Sequence, residues 1–318
     1  MPDDFRRFKA AAVQASPVLP MDRAATLEKA VDIIQEASRN GAQLIVFPET
    51  FIPMYPNWSV DLQSPNEWAR NLVDLTRNSV EVPGPEIETL GQAAERAGAY
   101  VCIGVNERVP RLDGMLYNTL VLIGPDGSLV GRHRKLLPTN REKVFWHRGD
   151  GVDVKAVWDT GLGRVGGLIC YEHLQPLLKY ALMAQGEQIH CACWPGWPNF
   201  KNGRTNTHVI DAVSRTYALE GQCFVIASCM YVPEEYGKER SGFGNASWSF
   251  FGGSGIINPA GEYIAGPLLG EEGILYAEID LEKILMRKAA VDTTSRDTRW
   301  DILSLKVNDE AFYEPFSR

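Results

Sequence analysis

The sequence has no apolar run approaching the ~18 residues that a membrane-crossing helix needs. It has no block of basic residues either; the formal net charge is −8 and the pI is about 5.3, which speaks against a nucleic-acid partner. None of its six cysteines falls in a CxxC pair, and none of its five histidines in an HExxH spacing. Cys191 and Cys193 are two apart on a predicted strand and so share one face, which does not suit a zinc site built on a turn. A metal or redox protein built on these residues is therefore unsupported. The N-terminal MPDDFRRFK has no apolar core and no cleavage pattern, so no signal peptide is expected. Linkers, composition breaks, repeats and low-complexity segments are all lacking, which predicts one domain over residues 1–318.

What remains is ordinary globular material: 318 residues, 45% hydrophobic and 23% charged, enough for a large core. The cysteines at 102, 170, 191, 193, 223 and 229 mostly sit in apolar runs and read as reduced core residues, which places the chain in a reducing cytoplasm. Residues 8–15, 43–47, 100–105, 116–123, 128–134, 189–194, 222–228 and 274–279 read as strands. Helical periodicity marks 22–39, 66–78, 84–98, 204–220 and 281–289. Pro125-Asp126-Gly127 signals a hairpin, and 258–261 (NPAG) joins 254–257 to 262–265 in another. Strands outnumber helices, and hairpins occur beside strand–helix alternation. The expected fold is α/β with mixed sheets and helices packed outside, not a plain doubly wound sheet.

The stretch 164–173 (RVGGLICYEH) organises the rest. Val165 to Ile169 is a short apolar run with two glycines and reads as a buried strand; Leu174, Leu177, Leu178, Ala181 and Leu182 then recur at helical spacing. Cys170 falls between them, at a sheet's carboxyl edge where α/β proteins bind ligands, and a helix N-terminus there would favour the thiolate. Glu49 closes a second strand (QLIVF-P-E) and Lys135 a third (SLVGRHR-K). Each has a plain alternative: a buried thiol, a solvated strand-end carboxylate, a basic solvated edge. Chemistry gives a reason to group them. A carboxylate can take the thiol's proton and a cation can stabilise the anion formed when sulfur attacks a carbon–heteroatom multiple bond. Loss of one such charge-stabilising donor costs on the order of 3 kcal/mol. Burial should raise the carboxyl pKa and let it serve as acid and base in turn.

FPET (47–50), HRKLLPT (133–139) and CYEHLQPLLKYALMAQGEQIH (170–190) closely resemble, in order, the three signature segments of the nitrilase branch of the carbon–nitrogen hydrolase superfamily. The runs WHRGDG (146–151) and Trp194-Pro195 resemble it too, and the likeness spans residues 8 to about 280. It implies a four-layer α-β-β-α sandwich, with Cys170 as nucleophile, Glu49 as general base and acid, and Lys135 as the cation for the tetrahedral intermediate. Glu142 matches a second carboxylate beside them, the Tyr171 amide an oxyanion donor, and His173 a packing or oligomer-contact residue. The implied reaction hydrolyses an organic nitrile to acid and ammonia through a Cys-linked thioimidate and thioester, with no metal or organic cofactor. The alternative is an amidase or N-carbamoyl hydrolase using the same Glu-Lys-Cys set; a non-enzymatic binding member is a second. Tyr55, Trp58, Trp194 and Trp197 are candidates to line an apolar pocket. The likeness also implies homodimers that build larger oligomers or spirals, with about 281–318 as a tail used in those contacts. Two departures stand out: Tyr171 occupies a place where the branch usually has Trp, and 294–301 (TSRDTRWD) keeps only fragments of the branch's C-terminal run.

Overall fold

The structure, a computed structural model, describes residues 6–56, 64–196, 207–233 and 250–311. In chain order the elements are β1 (Arg7–Gln14), α1 (Arg23–Arg39), β2 (Ala42–Val46), α2 (Pro65–Asn78), α3 (Pro85–Ala97), β3 (Tyr100–Arg108), β4 (Leu116–Ile123) and β5 (Leu129–Arg134). Then follow β6 (Val157–Thr160), β7 (Gly163–Ile169), α4 (Pro176–Ala184), β8 (Ile189–Trp194), α5 (Thr207–Gly221), β9 (Phe224–Cys229) and β10 (Tyr231–Val232). The last are β11 (Phe250–Ile257), β12 (Tyr263–Leu269), β13 (Gly273–Asp280) and α6 (Glu282–Ala290).

The strands form two sheets. One has six strands in the order β13-β1-β2-β3-β4-β5; the other has seven, β10-β11-β9-β8-β7-β6 with β12 paired to β11. Both are mixed. β1, β2 and β3 run parallel, as do β7, β8 and β9, and hairpins add antiparallel strands at the flanks.

Alternation along the strands explains the layering. Ala10 and Ala12 of β1, Leu44 and Val46 of β2 and Cys102 of β3 join one core cluster with Leu168, Ile169, Cys191 and Cys193 of the second sheet. The intervening Ala11, Val13, Ile45, Val101 and Ile103 face outward and pack under Ala30 and Ile34 of α1 and Ile87 and Leu90 of α3. On the far side, Leu178 and Leu182 of α4 and Ile210 and Tyr217 of α5 cover the second sheet. This is the four-layer α-β-β-α sandwich that the sequence led us to expect.

Local signals explain the helix ends. Asp22 caps α1 by accepting from the Ala25 amide, and Ser64 with Glu67 forms a capping box on α2, where Pro65 takes the first turn. Gly98 ends α3 at φ 61°. Two expectations need correction. β11 begins at Phe250, four residues before the predicted hairpin strand. The helix expected from His173 onward is split: a 3-10 turn spans Cys170–Leu174 and α4 starts only at Pro176. Leu174 and Leu177, expected on its buried face, are 49% and 72% exposed, whereas Leu178, Ala181 and Leu182 are buried.

Candidate active site

Glu49 follows β2 in a turn pressed against β3. The Gly104 amide donates to the Pro48 carbonyl, and a Cβ at residue 104 would lie 2.3 Å from the Thr50 nitrogen, so only glycine permits the approach. The Glu49 amide is held from the other sheet by the Trp194 carbonyl (3.2 Å). Lys135 extends β5, its amide donating to the Asn118 carbonyl of β4. Residues 132–135 alternate in side. Arg132 and Arg134 turn to the buried Glu107, whereas His133 and Lys135 are themselves buried on the opposite face. The solvated basic edge, a plain alternative for Lys135, is thereby replaced.

The three polar groups meet. Lys135 Nζ donates to Glu49 Oε1 (3.0 Å) and to Glu142 Oε2 (2.8 Å), and all three side chains are buried. Glu142 comes from a 3-10 turn, Asn140–Val144, where the Thr139 amide also donates to its Oε2 (2.6 Å). Tyr55 O–H donates to Glu142 Oε1 (2.7 Å), and the Tyr55 ring packs edge-on against Trp146 and Phe250. Asn118 Nδ2 donates to Glu49 Oε1 (2.6 Å), leaving Glu49 Oε2 buried with no hydrogen-bond partner among the described residues.

Cys170 directly follows β7 and has a left-handed backbone, φ 51°. A non-glycine residue there costs on the order of 1–2 kcal/mol, so the surrounding structure must impose it. The Tyr171 backbone amide favours the ionised sulfur, and the charges of Glu49, Lys135 and Glu142 all act on it.

Electrostatics assigns resting protonation states. Burial pushes the Cys170 thiol well above its ordinary range, and Glu49 adds to this; Lys135 and the Tyr171 amide pull the other way without prevailing. The expectation that a helix N-terminus would favour the thiolate is therefore corrected, because the residue starts a 3-10 turn and is desolvated. Burial also raises Glu49 to about 7, against the lowering effect of Lys135. Burial disfavours the Lys135 charge, but Glu142 and Glu49 outweigh it and hold the ammonium well above its usual range. At neutral pH the site holds a thiol, an ammonium and a carboxyl group able to gain or lose a proton.

A second buried pair braces the site. Glu172 accepts from the Ile169 amide (2.9 Å), the Leu136 amide (2.8 Å) and His133 Nε2 (2.8 Å), tying the Cys170 turn to the segment carrying Lys135. Burial opposes the His133 charge, yet Glu172 raises the imidazole to about 9, and His133 in turn lowers the Glu172 carboxyl despite its burial.

The sequence matches the carbon–nitrogen hydrolase family over residues 9–287. The chain belongs to the carbon–nitrogen hydrolase family. This hydrolase is 41% identical to the aliphatic nitrilase of Rhodococcus rhodochrous over 313 residues, 95% of this chain and 82% of that protein. It is 36% identical to the arylacetonitrilase of Aspergillus kawachii over 312 residues, 95% and 92% of the two chains. Among solved structures it is similar to the carbon–nitrogen hydrolase from Helicobacter pylori G27, with a TM-score of 0.77 and 21% identity over 93% of this chain and 96% of that one; at such identity the likeness shows the fold.

Of the residues singled out from sequence, the hydrolase's structure brings together Glu49, Lys135, Glu142, Cys170, the Tyr171 amide and Tyr55. Trp194, on a central strand between two parallel neighbours, is fully buried and stacks on His173, centroids 4.8 Å apart. Trp58 and Trp197 lie outside the described residues. His173 is 1% exposed, which removes oligomer contact and leaves packing. Asn118, His133 and Glu172 were missed. The signal for Asn118 was available: a lone amide within LYNTLVLI, a strand buried along its length, must have a partner.

Proposed function

We propose that this hydrolase is a nitrilase, converting an organic nitrile to the carboxylic acid and ammonia. The observation that carries the reading is the near-full-length identity of 36–41% to proteins named nitrilases, in a chain whose Glu49, Lys135 and Cys170 share one buried site. Glu49 takes the Cys170 proton as sulfur bonds to the nitrile carbon, and delivers it to the nitrogen, which receives the displaced π pair; the product is a thioimidate. Water then adds, giving up a proton to Glu49. Glu49 returns that proton to the nitrogen, making an amino group; the new hydroxyl then gives its proton, through Glu49, to the amino group, and as the C–N bond breaks and the C=O forms, ammonia leaves a thioester. A second water, deprotonated by Glu49, releases the acid, and the thiol recovers the proton. Lys135 and the Tyr171 amide stabilise the charge at each tetrahedral stage, and Glu142, held by Tyr55 and Thr139, keeps the ammonium in place.

The whole chain acts as one domain in this reading, and the segment from about 281 serves contact between copies. Leu177 on α4 and Trp300, Ile302 and Leu303 beyond α6 are exposed apolar side chains that support a face for a second copy. Among the described residues no helix is long and apolar enough to cross a membrane, and all six cysteines are free, in keeping with a reducing cytoplasm. The test is incubation with a panel of nitriles and the matching amides, with ammonia and acid measured, beside Cys170→Ala. Acid and ammonia from a nitrile, abolished in the variant, are expected. Ammonia from amides alone would make the protein an amidase, and a Cys170→Ala protein indistinguishable from the parent would remove catalysis from this site.

A further inference from the structure

Behind Cys170 runs a buried line of four side chains on which the mechanism does not draw. His173 Nδ1 lies 2.7 Å from the Cys170 carbonyl oxygen. His173 Nε2 lies 2.9 Å from His190 Nε2, His190 Nδ1 lies 2.7 Å from Glu187 Oε1, and Tyr217 O–H donates to Glu187 Oε2 (2.6 Å). All four are 5% exposed or less. The line is built in from three elements: His190 on β8, Tyr217 on α5, and Glu187 in the turn before β8. Gly166 of β7 leaves the room, since a Cβ there would lie 2.1 Å from Glu187 Oε1. Ring packing fixes the orientations: His173 stacks on Trp194, and His190 on Tyr217 with centroids 3.7 Å apart.

Hydrogen-bond accounting fixes the protons. A carbonyl only accepts, so His173 Nδ1 carries a hydrogen. Burial and the facing His190 hold His173 well below the ordinary imidazole range, so it is neutral and its Nε2 is bare. The Nε2–Nε2 contact then requires hydrogen on His190 Nε2. This holds whether the proton between His190 Nδ1 and Glu187 resides on nitrogen or oxygen. His173 is thus confined to its Nδ1–H tautomer by a donor that only His190 supplies.

We propose that the His190–Glu187–Tyr217 line is a positioning device that locks the His173 tautomer and thereby aims the Tyr171 oxyanion-binding amide. The peptide after Cys170 is planar, so its carbonyl and the Tyr171 N–H point in opposite directions. Holding the carbonyl against His173 turns the N–H to the opposite side, from which it favours the ionised sulfur. In the Nε2–H tautomer, two acceptors would face each other at 2.7 Å. The left-handed turn at Cys170 would lose its tie, and the Tyr171 amide would swing off the reacting atoms. The proposal rests on Cys170 being the attacking group, but its tautomer claim can be read without turnover.

Histidine-selective 15N NMR of the unmodified protein is the first arm; five histidines per chain keep the spectrum sparse. His173 should show protonated Nδ1 and bare Nε2 at neutral pH, and a protonated Nε2 would overturn the proposal whatever the substrate. The second arm compares His190→Phe, which keeps a ring on Tyr217 but no donor, with His190→Gln, which restores one. Loss of an oxyanion donor lowers kcat by 10²–10³-fold; for a misaimed one, His190→Phe should lower kcat about tenfold or more with KM within about twofold. His190→Gln should recover most of that loss. Equal losses in the two variants, or a His190→Phe enzyme with parental kcat, would reduce the line to core packing.

Discussion

The pH dependence of turnover follows from Glu49. Its carboxylate must be ionised to accept the Cys170 proton, and its pKa in the site is about 7. The ionised fraction is about 91% at pH 8 and about 9% at pH 6, so kcat/KM should fall about tenfold between them, with a slope of one below pH 6. Glu142 supplies an internal control. Its Oε2 and Glu49 Oε1 lie 2.8 and 3.0 Å from one nitrogen, hence no more than 5.8 Å apart. Two charges at that distance in an effective dielectric of about 20 repel by roughly 3 kcal/mol. Glu142→Gln removes that repulsion, and the activity midpoint should move down from about 7 to about 5–6, even as kcat itself drops because Lys135 loses an anchor. The assay is ammonia release from a nitrile over pH 5 to 9, with circular dichroism at each pH to confirm that the protein stays folded. A parental midpoint near 4.5, or a Glu142→Gln midpoint moved upward, would refute the assignment of Glu49 as the base.

Two further outcomes test the buried charges. Lys135→Met leaves Glu49 and Glu142 facing each other without a cation; kcat should fall at least about a hundredfold, and urea denaturation should show a loss of about 3–5 kcal/mol. The His133–Glu172 pair should make stability pH-dependent. The folded-state value of His133, about 9, lies above the ordinary 6.5, so its stabilisation is complete below pH 6.5 and is lost as pH rises through 9. The full effect is roughly 3 kcal/mol. Urea midpoints should decline from pH 6.5 to 9.5 in the parent, and His133→Gln should flatten that decline.

Much of this was legible in the chain because strand ends carry their own punctuation. Apolar runs closing in Pro48-Glu49, Lys135 and Cys170 marked three carboxyl edges, and hairpins beside strand–helix alternation predicted mixed sheets. What sequence could not supply was tertiary: that His133 and Lys135 turn inward while Arg132 and Arg134 turn to Glu107 depends on which face of β5 is covered. The split after Cys170 was readable in principle. Pro176 suits the first turn of a helix, and the residue before a proline is biased away from helical geometry, which breaks the periodicity inferred from Leu174 onward. The stack of Trp194 on His173 was not legible either, because an aromatic at a strand end reads alike whether it faces a pocket or a neighbouring ring. The four-residue line behind Cys170 joins positions 173, 187, 190 and 217, and no periodicity relates them.

The central claim is that the Cys170 sulfur bonds to the substrate carbon. Rapid acid quenching of enzyme mixed with an excess of nitrile, followed by peptide mass spectrometry, tests it most directly. The account predicts that the Cys170 peptide gains the mass of the acyl or imidoyl group, that Glu49→Gln greatly slows adduct formation, and that Cys170→Ala shows none. Turnover with the label on another residue, or with every cysteine unmodified under conditions where the adduct should accumulate, would contradict it.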